Sequence, residues 1–281
     1  MMNIMLAGNS GVYDGMELVI YSTMTHNRNI NWYIFTMDIE VDMGNGSCIG
    51  YRGLDPGQKQ KLYDIVKYFD SESNLIYVNA APFYNKYLAN SVNERCNFTP
   101  YAALRLIADI ALPYVDDLLY LDCDTAAMAN FENMYYQCKN NPSDFCFAVY
   151  AEDACDGEGE MVSGVMFLNL ARIRTNGFLE AARQNYNQFA YVYPDQMALR
   201  DSGPIARLPN IYGYLWDYRK TGVSPVIVHF TNDFPCKIYQ KDSNKATFYR
   251  IFSDFAYVKE GCEMMDKILF SEGRENYDLS N

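Results

Sequence analysis

The chain contains only two histidines, and its eight cysteines include no Cys-x-x-Cys pair. Scattered at positions 48, 96, 123, 138, 146, 155, 236 and 262, the cysteines indicate neither a zinc knuckle nor a compact disulfide framework, and they read as mostly buried thiols. Long apolar runs are also missing. No stretch approaches the roughly 20 consecutive apolar residues of a spanning helix, and Met1 to Tyr13 has neither the charged leader nor the apolar core of a signal peptide. The expected location is therefore the cytoplasm, with membrane contact at most peripheral. Positive charge is scarce: 23 Lys and Arg stand against 35 Asp and Glu, a net charge of −12, and no basic cluster appears. This excludes a general nucleic-acid binder, because phosphate backbones reward clustered cations. It does not exclude a single diphosphate, which one metal and one or two cations can hold. No internal repeat, low-complexity run or linker is evident.

What is present is a chain of 281 residues with 49% hydrophobic content, enough for a full core. Its 25 tyrosines and 16 phenylalanines suit stacking on a sugar or base, as well as ordinary packing. The order of elements is α/β. Asn3 to Ala7 reads as a strand, Gly8-Asn9-Ser10-Gly11 as a turn, and Met16 to Met24 as a helix. Trp32 to Met37 is a second strand, followed by a polar Gly-rich loop from Asp42 to Gly53, a helix from Gly57 to Phe69 and a strand at Leu75 to Val78. A helix from Tyr101 to Leu112, stopped by Pro113, leads into a further strand. Strand candidates at Phe145 to Tyr150 and Gly164 to Leu170 flank the acidic loop Glu152 to Glu160. A helix from Phe178 to Phe189, the polar segment Tyr193 to Gln196 and the isolated strand Val226 to Val228 follow. Two aromatic stretches, Phe248 to Val258 and Met264 to Phe270, are expected to pack on the main body. Strands alternating with helices imply a mostly parallel sheet.

The chemistry concentrates at Leu118-Leu119-Tyr120-Leu121-Asp122-Cys123-Asp124-Thr125. An apolar run ends in two carboxylates one residue apart. On an unbroken strand both would point to one side and converge on a cation; at a turn, one would bind directly and the other through water. Either arrangement suits Mg²⁺ or Mn²⁺ carrying phosphates. The plainer reading is a cap or turn that closes the strand. Arg105, on an otherwise apolar helix, can snorkel to the surface or aim at a phosphate. His229 ends a short apolar strand, and Lys237 lies eight positions further on, beyond Asp233 and Pro235.

Taken together, these segments resemble the family 8 glycosyltransferases, retaining enzymes that include glycogenins and bacterial lipopolysaccharide galactosyl- and glucosyltransferases. The resemblance rests on Ile4-Met5-Leu6-Ala7-Gly8-Asn9, on Leu104-Arg105-Leu106 placed 17 residues before Asp122, and on Tyr120-Leu121-Asp122-Cys123-Asp124. It extends to Ser163-Gly164-Val165-Met166-Phe167-Leu168-Asn169-Leu170, to Tyr193-Pro194-Asp195-Gln196 and to Val228-His229. The pattern departs at Asn9, where an acid is usual, at Val162, at Met197, and after His229, where the usual H-x-x-G-x-x-K-P-W is longer and lacks its glycine.

The resemblance implies a GT-A fold: a single Rossmann-like nucleotide-binding domain over residues 1–240 with a mixed central sheet, and a small helical extension over 241–281. It implies Mn²⁺ or Mg²⁺ held by Asp122, Asp124 and His229. Ala7 and Asn9 would line a uridine site, Arg105 and Lys237 would face the donor diphosphate or sugar, and Ser163, Asp195 and Gln196 would border the transferred sugar. The implied reaction moves a hexose from UDP-glucose or UDP-galactose to a glycan, lipid-linked or protein-linked acceptor, in bacterial cell-surface polysaccharide synthesis. Retention is expected by front-face transfer, since Gln196 is an amide and a poor nucleophile. Two rivals stand beside it. One is a haloacid-dehalogenase-type phosphatase using Asp122 and Asp124, and the other is a non-catalytic sugar-nucleotide-binding protein of the same fold.

Overall fold

A computed structural model describes residues 1–44, 46–151, 159–215 and 224–230. The expected C-terminal extension, Lys237 and most of the acidic loop after Ala151 lie outside the described residues. In chain order the strands are β1 (Met2–Ala7), β2 (Ile30–Thr36), β3 (Ile39–Asp42), β4 (Cys48–Tyr51), β5 (Asn74–Asn79), β6 (Leu118–Leu121), β7 (Thr125–Ala127), β8 (Cys146–Ala151), β9 (Glu160–Leu168), β10 (Ala206–Arg207), β11 (Tyr214–Leu215) and β12 (Ile227–His229). The helices are α1 (Tyr13–His26), α2 (Pro56–Phe69), α3 (Ala81–Tyr87), α4 (Ala108–Ala111), α5 (Glu132–Lys139), α6 (Leu170–Asn176), α7 (Phe178–Gln188) and α8 (Pro194–Arg200).

A seven-stranded sheet in the order β10-β8-β9-β6-β1-β2-β5 forms the centre. β6, β1, β2 and β5 run parallel, whereas β9 is antiparallel to both β6 and β8, so the sheet is mixed. Its central strands are apolar on both faces because helices cover both, which is why β1 and β6 read as continuous hydrophobic runs. Ile4, Leu6, Leu119 and Leu121 pack with α1 residues such as Met16 and Ile20 on one face. Met5, Leu118 and Tyr120 point the other way, toward Leu104, Leu106 and Leu179. Strand periodicity thus places Tyr120 on the face that carries Arg105. The helix α2 starts where its sequence says it should: Asp55 caps it, Gln58 reciprocates, and Pro56 occupies the first turn.

Four expectations need correction. The Gly-rich segment after Asp42 is not all loop: Ile39 to Asp42 pairs with Cys48 to Tyr51 in a hairpin. Gly44 and Gly46 take positive φ (76° and 82°) at its turn, which gives the chain room to reverse. The segment expected as one helix from Tyr101 to Leu112 is a 3₁₀ helix over Pro100–Ile107 followed by the single turn α4. Seven of those eight 3₁₀ residues are buried, including Arg105, so packing on several sides overrides the one-stripe logic of an α-helix. The polar segment Tyr193 to Gln196, to which the sequence reading assigns no helix, opens α8, with Pro194 in its first turn. The strand near Val226 is not isolated: β12 pairs with β11 and with β7, strands of two and three residues that are too short to show a period. Among the described cysteines, all free thiols, Cys138 and Cys146 are buried, Cys96 and Cys123 are half-buried, and Cys48 is exposed, so the expectation of mostly buried thiols holds for two of the five.

Candidate active site

The site forms where β6 ends. After Leu121 the chain turns: Thr125 donates its backbone N–H (3.2 Å) and its hydroxyl (2.9 Å) to the Asp122 carbonyl, while the Asp122 N–H donates to the Gly164 carbonyl at 2.8 Å. The two carboxylates therefore sit on a turn, the second of the geometries that the spacing allowed. β7 then leaves this turn and pairs antiparallel with β12, with Thr125 opposite His229. The Phe230 N–H closes the arrangement by donating to the Asp124 carbonyl at 2.9 Å. A histidine 105 positions further along the chain is thereby brought back to the acids.

Asp122, Asp124 and His229 present ligand atoms that all lie within 4.8 Å of one another. His229 Nε2 is 3.1 Å from Asp124 Oδ1 and 3.7 Å from Asp122 Oδ2. Two ligands of a cation bonded at about 2.1 Å lie roughly 3–4 Å apart, so these separations fit one divalent ion. A second observation supports the fit. A Cβ on Gly164 would stand 2.2 Å from His229 Cε1 and 2.7 Å from Nε2, so the imidazole occupies space that only a glycine leaves open. His229 Nδ1, packed against that glycine, is buried with no hydrogen-bond partner among the described residues. Burial pushes the His229 imidazole down, but the charge and hydrogen bond of Asp124 and the charge of Asp122 outweigh it, and the net shift is upward.

Behind the acids lies a buried polar node. Arg105, 3% exposed, donates Nη2 to Asp122 Oδ1 at 2.7 Å, Nη1 to the Ser163 carbonyl and Nε to the Ala102 carbonyl at 3.0 Å. Its Nε also lies 3.1 Å from Asp195 Oδ2. Burial alone would weaken its hold on the proton, but Asp122, Tyr120 and Asp195 more than reverse this. Asp195 is pushed up by burial, and Arg105 offsets only part of the rise. The Ser163 hydroxyl reaches Asp195 Oδ2 at 3.4 Å, and the Ser163 N–H donates to Gln196 Oε1 at 3.2 Å. A bulge makes this possible. Between the pairs Ala148–Met166 and Val149–Val162, β9 carries extra residues, and those residues include Ser163 and Gly164.

The first strand contributes the near edge. Cys123, between the acids, donates its thiol to the Ala7 carbonyl at 3.4 Å. A Cβ on Gly8 would meet Val12 Cγ2 at 2.5 Å and Met16 at 2.7 Å, so the turn after β1 lies tightly on the start of α1. Asn9 caps the short helix Ser10–Val12 by accepting from the Gly11 N–H at 3.1 Å.

The chain is similar in fold to several solved structures. It matches the galactosyltransferase LgtC in complex with donor and acceptor sugar analogs at TM-score 0.60 and 13% identity, over 92% of this chain and 96% of that one. It matches the bifunctional glycosyltransferase WbbM at TM-score 0.63 and 12% identity, covering 94% of this chain and 51% of WbbM, about half of its length. Mouse xyloside xylosyltransferase 1 matches at TM-score 0.59 and 12% identity, over 83% and 98%. The chain has the GT-A fold. No family profile and no curated protein sequence matches it.

Within this GT-A fold, Asp122, Asp124 and His229 converge, and Arg105, Ser163, Asp195 and Gln196 form one connected group beside them. Ala7 touches the acidic turn through Cys123, and Asn9 lies on the loop after β1. Arg105 is engaged with protein groups on several sides. Two residues quoted only as motif letters acquire structural parts: Gly164 makes room for His229, and Tyr120 donates its hydroxyl to Asp122 Oδ1 at 2.6 Å. Burial, with Asp122 adding to it and Arg105 opposing, holds the Tyr120 hydroxyl well above its ordinary pKa, so it stays a donor. Nothing in the sequence pattern distinguished Tyr120 from the apolar residues around it. No helix among the described residues is long and apolar enough to cross a membrane.

Proposed function

We propose that this protein is a metal-dependent retaining glycosyltransferase that moves a hexose from UDP-glucose or UDP-galactose to a hydroxyl of a glycan, lipid-linked or protein-linked acceptor, in cell-surface polysaccharide synthesis at the cytoplasmic side. The observation that carries the reading is the convergence of Asp122, Asp124 and His229 at the end of β6 in a GT-A fold. In open α/β sheets ligands bind beyond the carboxyl ends of parallel strands, and both the loop after β1 and the acidic turn lie there. In this reading residues 1–240 make up the catalytic unit, and the expected extension over 241–281 lies outside the described residues.

Asp122, Asp124 and His229 would hold Mn²⁺ or Mg²⁺. The bound cation would offset the charge that grows on the diphosphate as the anomeric bond breaks. Arg105 fixes Asp122 and Asp195 in one frame, and Lys237, outside the described residues, would supply a second positive group for the diphosphate. Ala7 and Asn9 border the base. Asp195, Ser163 and Gln196 orient the transferred sugar. The Gln196 amide oxygen accepts from the Ser163 backbone, so its orientation is set by β9. The acceptor proton passes to the departing diphosphate oxygen on the same face, which preserves configuration without a protein nucleophile. Position argues against a phosphatase nucleophile at Asp122: that motif is expected on the first strand of its domain, whereas β1, β2 and β5 of the central sheet precede the acidic turn in the chain.

Calorimetric titration of UDP with and without Mn²⁺ tests the reading on the native protein and on Asp124→Ala. Metal-dependent UDP binding that disappears in the variant is expected, followed by turnover of a UDP-hexose that Gln196→Ala lowers strongly. Absence of UDP binding in either state, or UDP binding without turnover of any donor, would remove the transferase assignment.

A further inference from the structure

The two oxygens of Asp122 have unlike surroundings. Oδ1 accepts from the Tyr120 hydroxyl at 2.6 Å and from Arg105 Nη2 at 2.7 Å. Oδ2 is turned toward His229, 3.7 Å from Nε2. Tyr120 serves both donors at once, because its ring lies against the guanidinium, with Arg105 Cζ 4.2 Å from the ring centroid. The residue is 1% exposed and held in the sheet by pairing with Met5 and Met166, so its hydroxyl cannot wander.

We propose that Tyr120 is a positioning residue for the metal centre: with Arg105 it locks Asp122 Oδ1 and so reserves Oδ2 for the cation. The inference rests on the metal reading given under Proposed function. A carboxylate turns readily about its last torsion, which has a broad, roughly two-fold profile. Two strong donors on one oxygen remove that freedom before any ligand arrives. Residues that orient a metal ligand in this way typically affect metal affinity about 10–100-fold.

The test is Mn²⁺ binding measured without nucleotide, from the paramagnetic resonance of the free ion, on native protein, Tyr120→Phe and Tyr135→Phe. Tyr120→Phe keeps the ring against Arg105 and removes only the hydroxyl. Tyr135→Phe is the control: that residue is equally buried, and its hydroxyl donates to Asp117 at the opposite end of β6. Tyr120→Phe is expected to weaken Mn²⁺ binding about 10–100-fold while Tyr135→Phe stays near the native value. Equal affinity in native protein and Tyr120→Phe, or equal losses in both variants, would overturn this inference and leave the metal site standing. No Mn²⁺ binding by the native protein would overturn the metal reading itself. Should Tyr120→Phe not fold, 3-fluorotyrosine placed at position 120 keeps the hydroxyl and reports by fluorine resonance. Mg²⁺ is expected to shift that signal, and an unmoved signal in Mg²⁺-loaded protein would overturn the proposal.

Discussion

His229 shows how a single residue can be set by opposing forces. Its imidazole is almost fully buried, which disfavours charge, yet it faces two carboxylates, and the balance raises its pKa above the ordinary 6.5. In the metal-free protein a protonated His229 therefore adds stability, fully present below the unfolded-state value and lost as pH rises through the higher folded value. A cation needs the neutral ring and so competes with that proton. Mn²⁺ affinity is expected to fall about tenfold per pH unit below the folded value, and the metal-free melting temperature is expected to decline as pH rises through the same window. Spin-resonance titrations and thermal melts across that range check both. A flat affinity would exclude His229 from the ligand set.

At the scale of elements, the site depends on the close approach of His229 in β12 to Gly164 in β9. The β9 bulge puts Gly164 where the His229 ring passes, and a methyl group there would overlap the ring. Gly164→Ala is expected to displace the imidazole, weaken Mn²⁺ binding by at least about tenfold and cost roughly 1–3 kcal/mol of stability through overpacking. Metal titration and urea unfolding measure the two effects. Native metal affinity in Gly164→Ala would mean that the ring can shift without leaving the site, and the close approach would lose its proposed importance.

Across the whole molecule, the helical layer that carries Arg105 is tied down by a second buried ion pair. Arg183 of α7 donates to Asp109 of α4 at 2.6 Å and to the Leu106 carbonyl at 2.7 Å, one residue from Arg105. Removing one partner strands the other charge in the core. Arg183→Met is therefore expected to lose about 3–5 kcal/mol, with much of the loss recovered by adding Asp109→Leu. Denaturant unfolding of both variants decides this. A single variant as stable as the native protein would show that water reaches Asp109 and that the layer is not held by this pair.

The sequence by itself determined the α/β alternation, the buried central strands and the acidic pair at the end of β6, because each is written in a local pattern: continuous apolar runs, turn residues and the D-x-D spacing. Arg105, Ser163, Asp195, Gln196 and His229 were legible only through the order of motifs along the chain. The tertiary structure alone decided that Asp122 and Asp124 sit on a turn, that Pro100–Ile107 is a 3₁₀ helix, and that two- and three-residue strands return His229 to the acids. It also decided the parts played by Tyr120 and Gly164. A hydroxyl inside a hydrophobic run, and a glycine whose purpose is the ring of a residue 65 positions away, leave no local periodic signal. Their meaning lies in contacts between segments distant in sequence, and only the packed chain makes those contacts.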